Sequence, residues 1–237
     1  MKKKKLDKKI FVFGGSGGIG LEICNKFLKE DFKVYFTSKS SEKIKKIINK
    51  NKKNFKSQKI VGLVCNIENE LDIKKAVKII LKNDVKIIIN AVGIFGYENL
   101  KNIKTSNIIK YFRINTLPSI LINKYLLKFY KPNHERMIIT IGSSSSYNGF
   151  TKTTSYSSSK HALMGAIRSM NHENLDKKII NICVNPGSVK TKMGKLVKNQ
   201  RFSSFIEPDE LSEFIYSLSS QGKSFFIEDI WLKRTSV

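Results

Sequence analysis

An apolar stretch, KIFVFGG, runs straight into the glycine-rich turn of FGGSGGIG and then into an amphipathic segment. The order strand, tight turn, helix at the start of a chain restricts the fold more than any other feature. In GIGLEICNKFLKEDF, Ile19, Ile23, Phe27 and Leu28 recur at helical spacing. The alternation then continues through KVYFTS, SSEKIKKIINK, KIVGLVC and NELDIKKAVKIILKN to VKIIINAVG. This last run is almost wholly apolar, as expected of a parallel strand covered on both faces. A long helical region is predicted from about Thr105 to Tyr130, then a strand at RMIITIG and a helix at SYSSSKHALMGAIRSMNHEN. IINICVNPG reads as a strand, EPDELSEFIYSLSS as a helix and SFFIEDI as the final strand. Strand–helix alternation without an internal repeat predicts one α/β domain over residues 1–237. Its core is a doubly wound parallel sheet of about seven strands, with ligand at their carboxyl ends.

Composition enters as an exclusion. The chain carries 44 Lys and Arg against 19 Asp and Glu, a net charge of +25. Such an excess suits nucleic acid or an anionic surface. Here the lysines are spread along the whole chain among Ile and Asn, apart from MKKKK at the start. No helix-turn-helix, RNP or zinc-finger spacing accompanies them, so no specific nucleic-acid partner is expected. Cys24, Cys65 and Cys183 are far apart and form no CxxC, which points to a reducing compartment and to no metal site. His134, His161 and His172 lack ligand spacing and read as structural or surface residues. No apolar run approaches the roughly 18 residues of a membrane helix. Ile10 to Phe13 is too short for a signal-peptide core. A cytoplasmic protein without a membrane partner is expected.

Two motifs carry chemistry. Gly14, Gly18 and Gly20 give G-x-x-x-G-x-G at the first strand–helix junction, with Ser16, Gly17 and Ile19 in the same turn. Glycine lets the backbone approach a phosphate, and the helix N-terminus behind it offers free N–H groups. This makes the domain Rossmann-type. In TSYSSSK, Tyr156 and Lys160 stand at i and i+4, one turn apart on one helix face. A phenol is a poor acid near neutral pH, and a neighbouring ammonium favours its ionised form. The pair is therefore a candidate acid–base group.

The glycine spacing differs from the G-x-G-x-x-G fingerprint and resembles that of the short-chain dehydrogenase/reductase family. NAVG, TSYSSSK and VNPGSVKTKM resemble further motifs of that family in the same order. The likeness runs from about residue 9 to residue 193 and is similar to 3-oxoacyl-carrier-protein reductase-like members. Phe13 replaces the family's usual threonine, and the chain ends without the glycine-rich segment many members carry after the last strand.

The resemblance implies a tetrad of Asn115, Ser143, Tyr156 and Lys160. Counting back thirteen residues from the tyrosine favours Ser143, with Ser144 and Ser145 close enough to take its place. Pro118 implies a helix irregularity beside Asn115, since it lacks an N–H for the carbonyl of Ile114. By the same resemblance, Asn90, Ala91, Gly93, Pro186, Gly187, Val189 and Thr191 join the cofactor site, and Asn66 and Ile67 flank the adenine. The second strand ends in Ser38 and Lys39, where an acidic residue would favour NAD. NADP(H) is therefore preferred over NAD(H).

The implied activity is interconversion of a carbonyl and a secondary alcohol. The substrate is a small molecule or carrier-linked, with 3-oxoacyl thioesters and sugar-linked substrates both open. Residues near 192–207 form the expected substrate loop. A homodimer or homotetramer is implied through the long fifth and sixth helices, with Leu121, Tyr125, Leu163 and Ile167 as candidate contacts. A nucleotide-binding regulator without turnover is the rival from another class.

Overall fold

A computed structural model of the chain describes residues 8–52, 59–131, 135–220, 225 and 227–235. The strands are β1 (Lys9–Phe13), β2 (Lys33–Ser38), β3 (Ile60–Val64), β4 (Ile87–Asn90), β5 (Arg136–Ile141), β6 (Ile179–Pro186) and β7 (Asp229–Leu232). The helices are α1 (Gly18–Lys29), α2 (Ser41–Lys52), α3 (Glu70–Lys82), α4 (Thr105–Asn115), α5 (Leu117–Lys128), α6 (Thr154–Asn174) and α7 (Pro208–Leu218).

All pairings are parallel, in the order β3-β2-β1-β4-β5-β6-β7. The order reverses between β1 and β4. At such a point the loops from the two strands diverge to opposite faces and leave a crevice. Residues Ile10 to Phe13 are fully buried because side chains of both faces are covered. On one face Ile10 and Val12 pack with Ile23 and Phe27 of α1 and Leu211 and Ile215 of α7. On the other, Phe11 and Phe13 pack with Ile73, Val77 and Ile80 of α3 and Ile122 of α5. Local signals place the ends of α3. Asn69 caps its N-terminus by accepting from the Leu71 N–H at 2.9 Å. Glu70 and Asp72 then sit at the positive end of the helix dipole and Lys82 at the negative end.

Three expectations need correction. The helix expected from 105 to 130 is two helices, broken at Thr116, with Pro118 in the first turn of α5. The last strand lies later than SFFIEDI, because register with β6 pairs Asp229 with Cys183 and Leu232 with Pro186. Phe225 is exposed instead. Leu121, Tyr125, Leu163 and Ile167 are all buried within the chain, so they are core and offer no surface to a partner copy. His172 is exposed, and His161 bonds the Ser157 carbonyl through Nδ1 at 2.9 Å. His134 and the initial lysine run lie outside the described residues.

Candidate active site

The turn between β1 and α1 is fixed by backbone bonds. Gly14 adopts φ +75°, a conformation costly for other residues, and its carbonyl accepts from the Gly17 N–H at 3.0 Å. The Gly14 N–H donates to Thr37 Oγ1 at 3.0 Å, so the turn loses no bond through Phe13, whose side chain is buried against Phe11. A methyl at Gly20 would stand 2.3 Å from the Gly14 carbonyl oxygen, and one at Gly18 would stand 2.7 Å from Thr191 Cγ2. Gly17 caps α1 with no side-chain bond to the first-turn N–H groups, and Gly17 and Gly18 are exposed. An uncapped helix start behind a bare glycine cradle fits a phosphate group.

This turn borders a cavity of about 940 Å³ at the carboxyl ends of β1, β4, β5 and β6. Ser16, Gly17, Gly18, Ile19, Gly20, Ala91, Gly93, Ser143, Tyr156, Lys160, Pro186, Gly187, Val189 and Thr191 all line it. Other expected site residues lie behind the wall. Asn90 donates to Ser119 Oγ at 2.8 Å and accepts from the Val92 N–H at 3.3 Å, holding the end of β4. Asn115 accepts from the Ile94 N–H at 2.8 Å and donates to the Ile94 carbonyl at 3.2 Å and Ser159 Oγ at 3.0 Å. That bracket fixes the segment leaving β4, and the break after α4 is what turns Asn115 toward it.

Ser38 is buried and accepts from Ser16 Oγ at 2.8 Å. Lys39 is exposed, with its ammonium 3.8 Å from Glu68. Asn66 and Ile67 do not line the cavity. The Asn66 N–H donates to Asp72 Oδ2 at 3.0 Å, and Ile67 packs on the core.

Ser143 leaves β5 and accepts from the Ser145 N–H at 3.1 Å, while its own N–H donates to Ser146 Oγ and Asn185 Oδ1 at 3.2 Å each. Ser145 and Ser146 are buried in the short turn that follows. Ser143, Ser144 and Ser145 all line the cavity with Tyr156, and of the three it is Ser143 that favours the ionised form of the phenol. The Tyr156 ring meets Phe95 edge-on, centroids 4.9 Å apart at 87°, with Tyr111 at 6.2 Å. Burial pushes the phenol up to about 12, the Ser143 bond pulls it down and Tyr111 adds a small push. Lowering by Lys160 was expected and is not what the site does. Burial is the largest influence on the phenol, and the Lys160 ammonium donates to the Ile141 carbonyl. Burial pushes Lys160 itself down to about 8. Its ammonium has three donors, and among the described residues one is used. A buried ammonium facing a cavity with donors to spare fits a hydroxylated ligand such as a nicotinamide ribose.

Several cavity residues carry no signal in the sequence. Lys43 lines it from α2, and Phe95, Tyr97 and Phe150 supply an aromatic wall. The three aromatic residues stand on irregular segments where neither helical nor strand period applies, and the one available clue was their position after β4 and β5.

The family model described as short chain dehydrogenase matches residues 8–201. A Buchnera aphidicola subsp. Baizongia pistaciae protein named 3-oxoacyl-[acyl-carrier-protein] reductase FabG is 30% identical over 205 residues, covering 85% of this chain and 82% of that protein. A solved structure described as ElxO with NADP bound is 25% identical, with a TM-score of 0.85 and 97% of each chain covered. The fold is shared by a Brucella melitensis 3-ketoacyl-(acyl-carrier-protein) reductase complexed with NADH, at 19% identity, a TM-score of 0.82, and coverage of 95% of this chain and 96% of that one.

Proposed function

The chain belongs to the short chain dehydrogenase family, an NAD(P)-dependent oxidoreductase, and from that premise we propose that it reduces a carbonyl to a secondary alcohol with NADP(H). The observation that carries this reading is the meeting of Ser143, Tyr156 and Lys160 with the glycine turn on one cavity. When bound, the nicotinamide supplies the hydride. Tyr156 is the proton donor to the carbonyl oxygen. Its raised pKa keeps the phenol protonated at neutral pH, the form a general acid needs. Ser143 donates to the same oxygen, a bond that strengthens as negative charge develops there. Lys160 holds the ribose hydroxyls, and Asn115 maintains the segment through which its proton is replaced.

Gly14, Ser16, Gly17, Gly18, Ile19 and Gly20 hold the phosphates. Ala91, Gly93, Pro186, Gly187, Val189 and Thr191 line the nicotinamide half, with Asn90 behind them. Asn66 and Ile67 do not line the cavity, so their assignment to the adenine rests on the family resemblance alone. Ser38, Lys39 and Lys43 favour a 2′-phosphate, because β2 ends in a serine rather than a carboxylate and Lys43 borders the cavity, although Glu68 stands 3.8 Å from Lys39. NAD(H) then serves less well.

The names of the relatives support a 3-oxoacyl thioester as substrate. A homo-oligomer is proposed through α4 and α5, where Ile109, Leu117 and Ile120 are exposed. Following NADPH absorbance with acetoacetyl thioesters and simple ketones tests the activity. A wild type that oxidises no NADPH with any of them, yet binds it, would favour a nucleotide-binding protein without turnover.

A further inference from the structure

A second lobe of about 250 Å³ adjoins the cavity and shares Ser144, Phe150, Gly187, Ser188 and Gln200 with it. Its far wall is Leu232, Lys233 and Arg234. The register of β7 delivers them. Leu232 pairs with Pro186 at the end of β6, and its carbonyl accepts from the Gly187 N–H at 2.9 Å. The next two residues therefore project where β6 opens into the cavity.

Among the described residues, Arg234 is held without an acidic partner. It donates through Nη1 to Ser204 Oγ at 3.0 Å, and its guanidinium lies 5.4 Å over the buried ring of Phe205. Lys233 lies 5.9 Å over the Trp231 ring, which packs on Tyr147 at 4.3 Å. Among the described residues no carboxylate lines the lobe and neither cation joins an ion pair. An exposed lysine in a chain of charge +25 signifies little. An arginine fixed by a ring and a hydroxyl, with most of its planar fork still available, is different, because that fork matches carboxylate and phosphate oxygens.

We infer that the second lobe receives an anionic group, a carboxylate or a phosphate, borne by the same molecule whose carbonyl meets Tyr156. Arg234 is the main contact, and Lys233 adds charge. The inference rests on the reductase reading and adds a substrate class to it.

Two matched pairs separate the sources of the anion: levulinate against its methyl ester, and acetoacetyl phosphopantetheine against acetoacetyl pantetheine. Wild type should favour the anionic member of one pair by about tenfold in kcat/KM, as one charged hydrogen bond allows. Preference in the first pair identifies a small oxo acid, and in the second a carrier arm. Arg234→Met should abolish the preference and leave the neutral member within about twofold of wild type. Equal treatment of both pairs by wild type overturns the inference. So does a variant that slows neutral and anionic members alike, which would mark Arg234 as merely structural. Binding gives a readout free of turnover. Trp231 is the sole tryptophan, and Lys233 of the lobe lies 5.9 Å over its ring. Its fluorescence should change saturably with levulinate or phosphopantetheine in wild type and not in Arg234→Met. A wild type unresponsive to both overturns the lobe. A responsive wild type that reduces none of the four compounds keeps the lobe and sinks the reductase reading.

Discussion

Lys160 donates its ammonium proton to the main-chain carbonyl of Ile141 at 3.1 Å, in a place where only 3% of the residue meets solvent. Ile141 is the last residue of β5, two positions before Ser143, and Lys160 is one helical turn after Tyr156. The bond therefore ties the strand end that presents the serine to the helix that presents the tyrosine. It does so at the cost of a buried charge, which one neutral carbonyl offsets only in part.

That cost has a pH signature. Between about 8 and the ordinary lysine value of 10.5, the unfolded chain binds a proton at Lys160 that the folded chain does not. Stability from this group must rise with pH across that window. Below it the penalty is present in full, roughly 3 kcal/mol from the size of the shift. Lys160→Met keeps most of the length without the charge. Urea unfolding should find the variant more stable than wild type at about pH 7, with the gap closing toward about pH 10. Parallel pH profiles for the two proteins would contradict a buried, destabilised ammonium.

Tyr156→Phe keeps the ring against Phe95 and removes the proton donor. NADPH binding should be unchanged, and turnover should fall by the roughly 10²–10⁴-fold typical of general acids. In wild type the phenol stays protonated well past neutrality, so a basic limb in kcat/KM near pH 8 should belong to Lys160. Lys160→Met should lack that limb and bind NADPH more weakly. A near-normal rate in Tyr156→Phe would remove the central assignment.

The parts of this site that were legible in the sequence are those set by local chemistry. The glycines of residues 14–20, the i, i+4 pair on α6 and the Pro186–Gly187 turn each need particular residue types at fixed spacing. Ser143 is reached by counting back from Tyr156, and Ser144 and Ser145 line the same cavity, so spacing alone does not choose among them. The edges failed where tertiary contacts decide. Leu121 and Ile167 show the helical period of either an interface or a core, and only burial tells them apart. Phe225 looked like strand because it is aromatic, yet pairing with β6 begins at Asp229. Phe95, Tyr97 and Lys43 reach the cavity from elements whose local pattern says nothing of it.

The proposed cofactor preference can be divided between two lysines. The ammonium of Lys39 is 73% exposed in its side chain and already 3.8 Å from Glu68, an arrangement worth little. Lys43 borders the cavity itself. Lys43→Ala should therefore weaken NADPH more than Lys39→Ala does, by about 1–3 kcal/mol, with NADH affected less. Titration of both cofactors measures this. Equal losses for NADPH and NADH would show that neither lysine meets a 2′-phosphate.

The last expectation concerns assembly. The contacts suggested by helical pattern alone are core, so any interface must use other residues. Ile109 of α4 and Leu117 and Ile120 of α5 are 55%, 41% and 39% exposed on either side of the break at Thr116. Water gains from covering such a face, and a two-fold contact would cover it with its own copy. None of the three belongs to the buried clusters, so charged replacements should spare the fold. Light scattering of wild type at micromolar concentration should report a mass well above 27.1 kDa. Leu117→Lys with Ile120→Lys should return it to 27.1 kDa with circular dichroism unchanged. A wild type already at that mass would reject the interface, and a double variant that stays assembled would place it on another face.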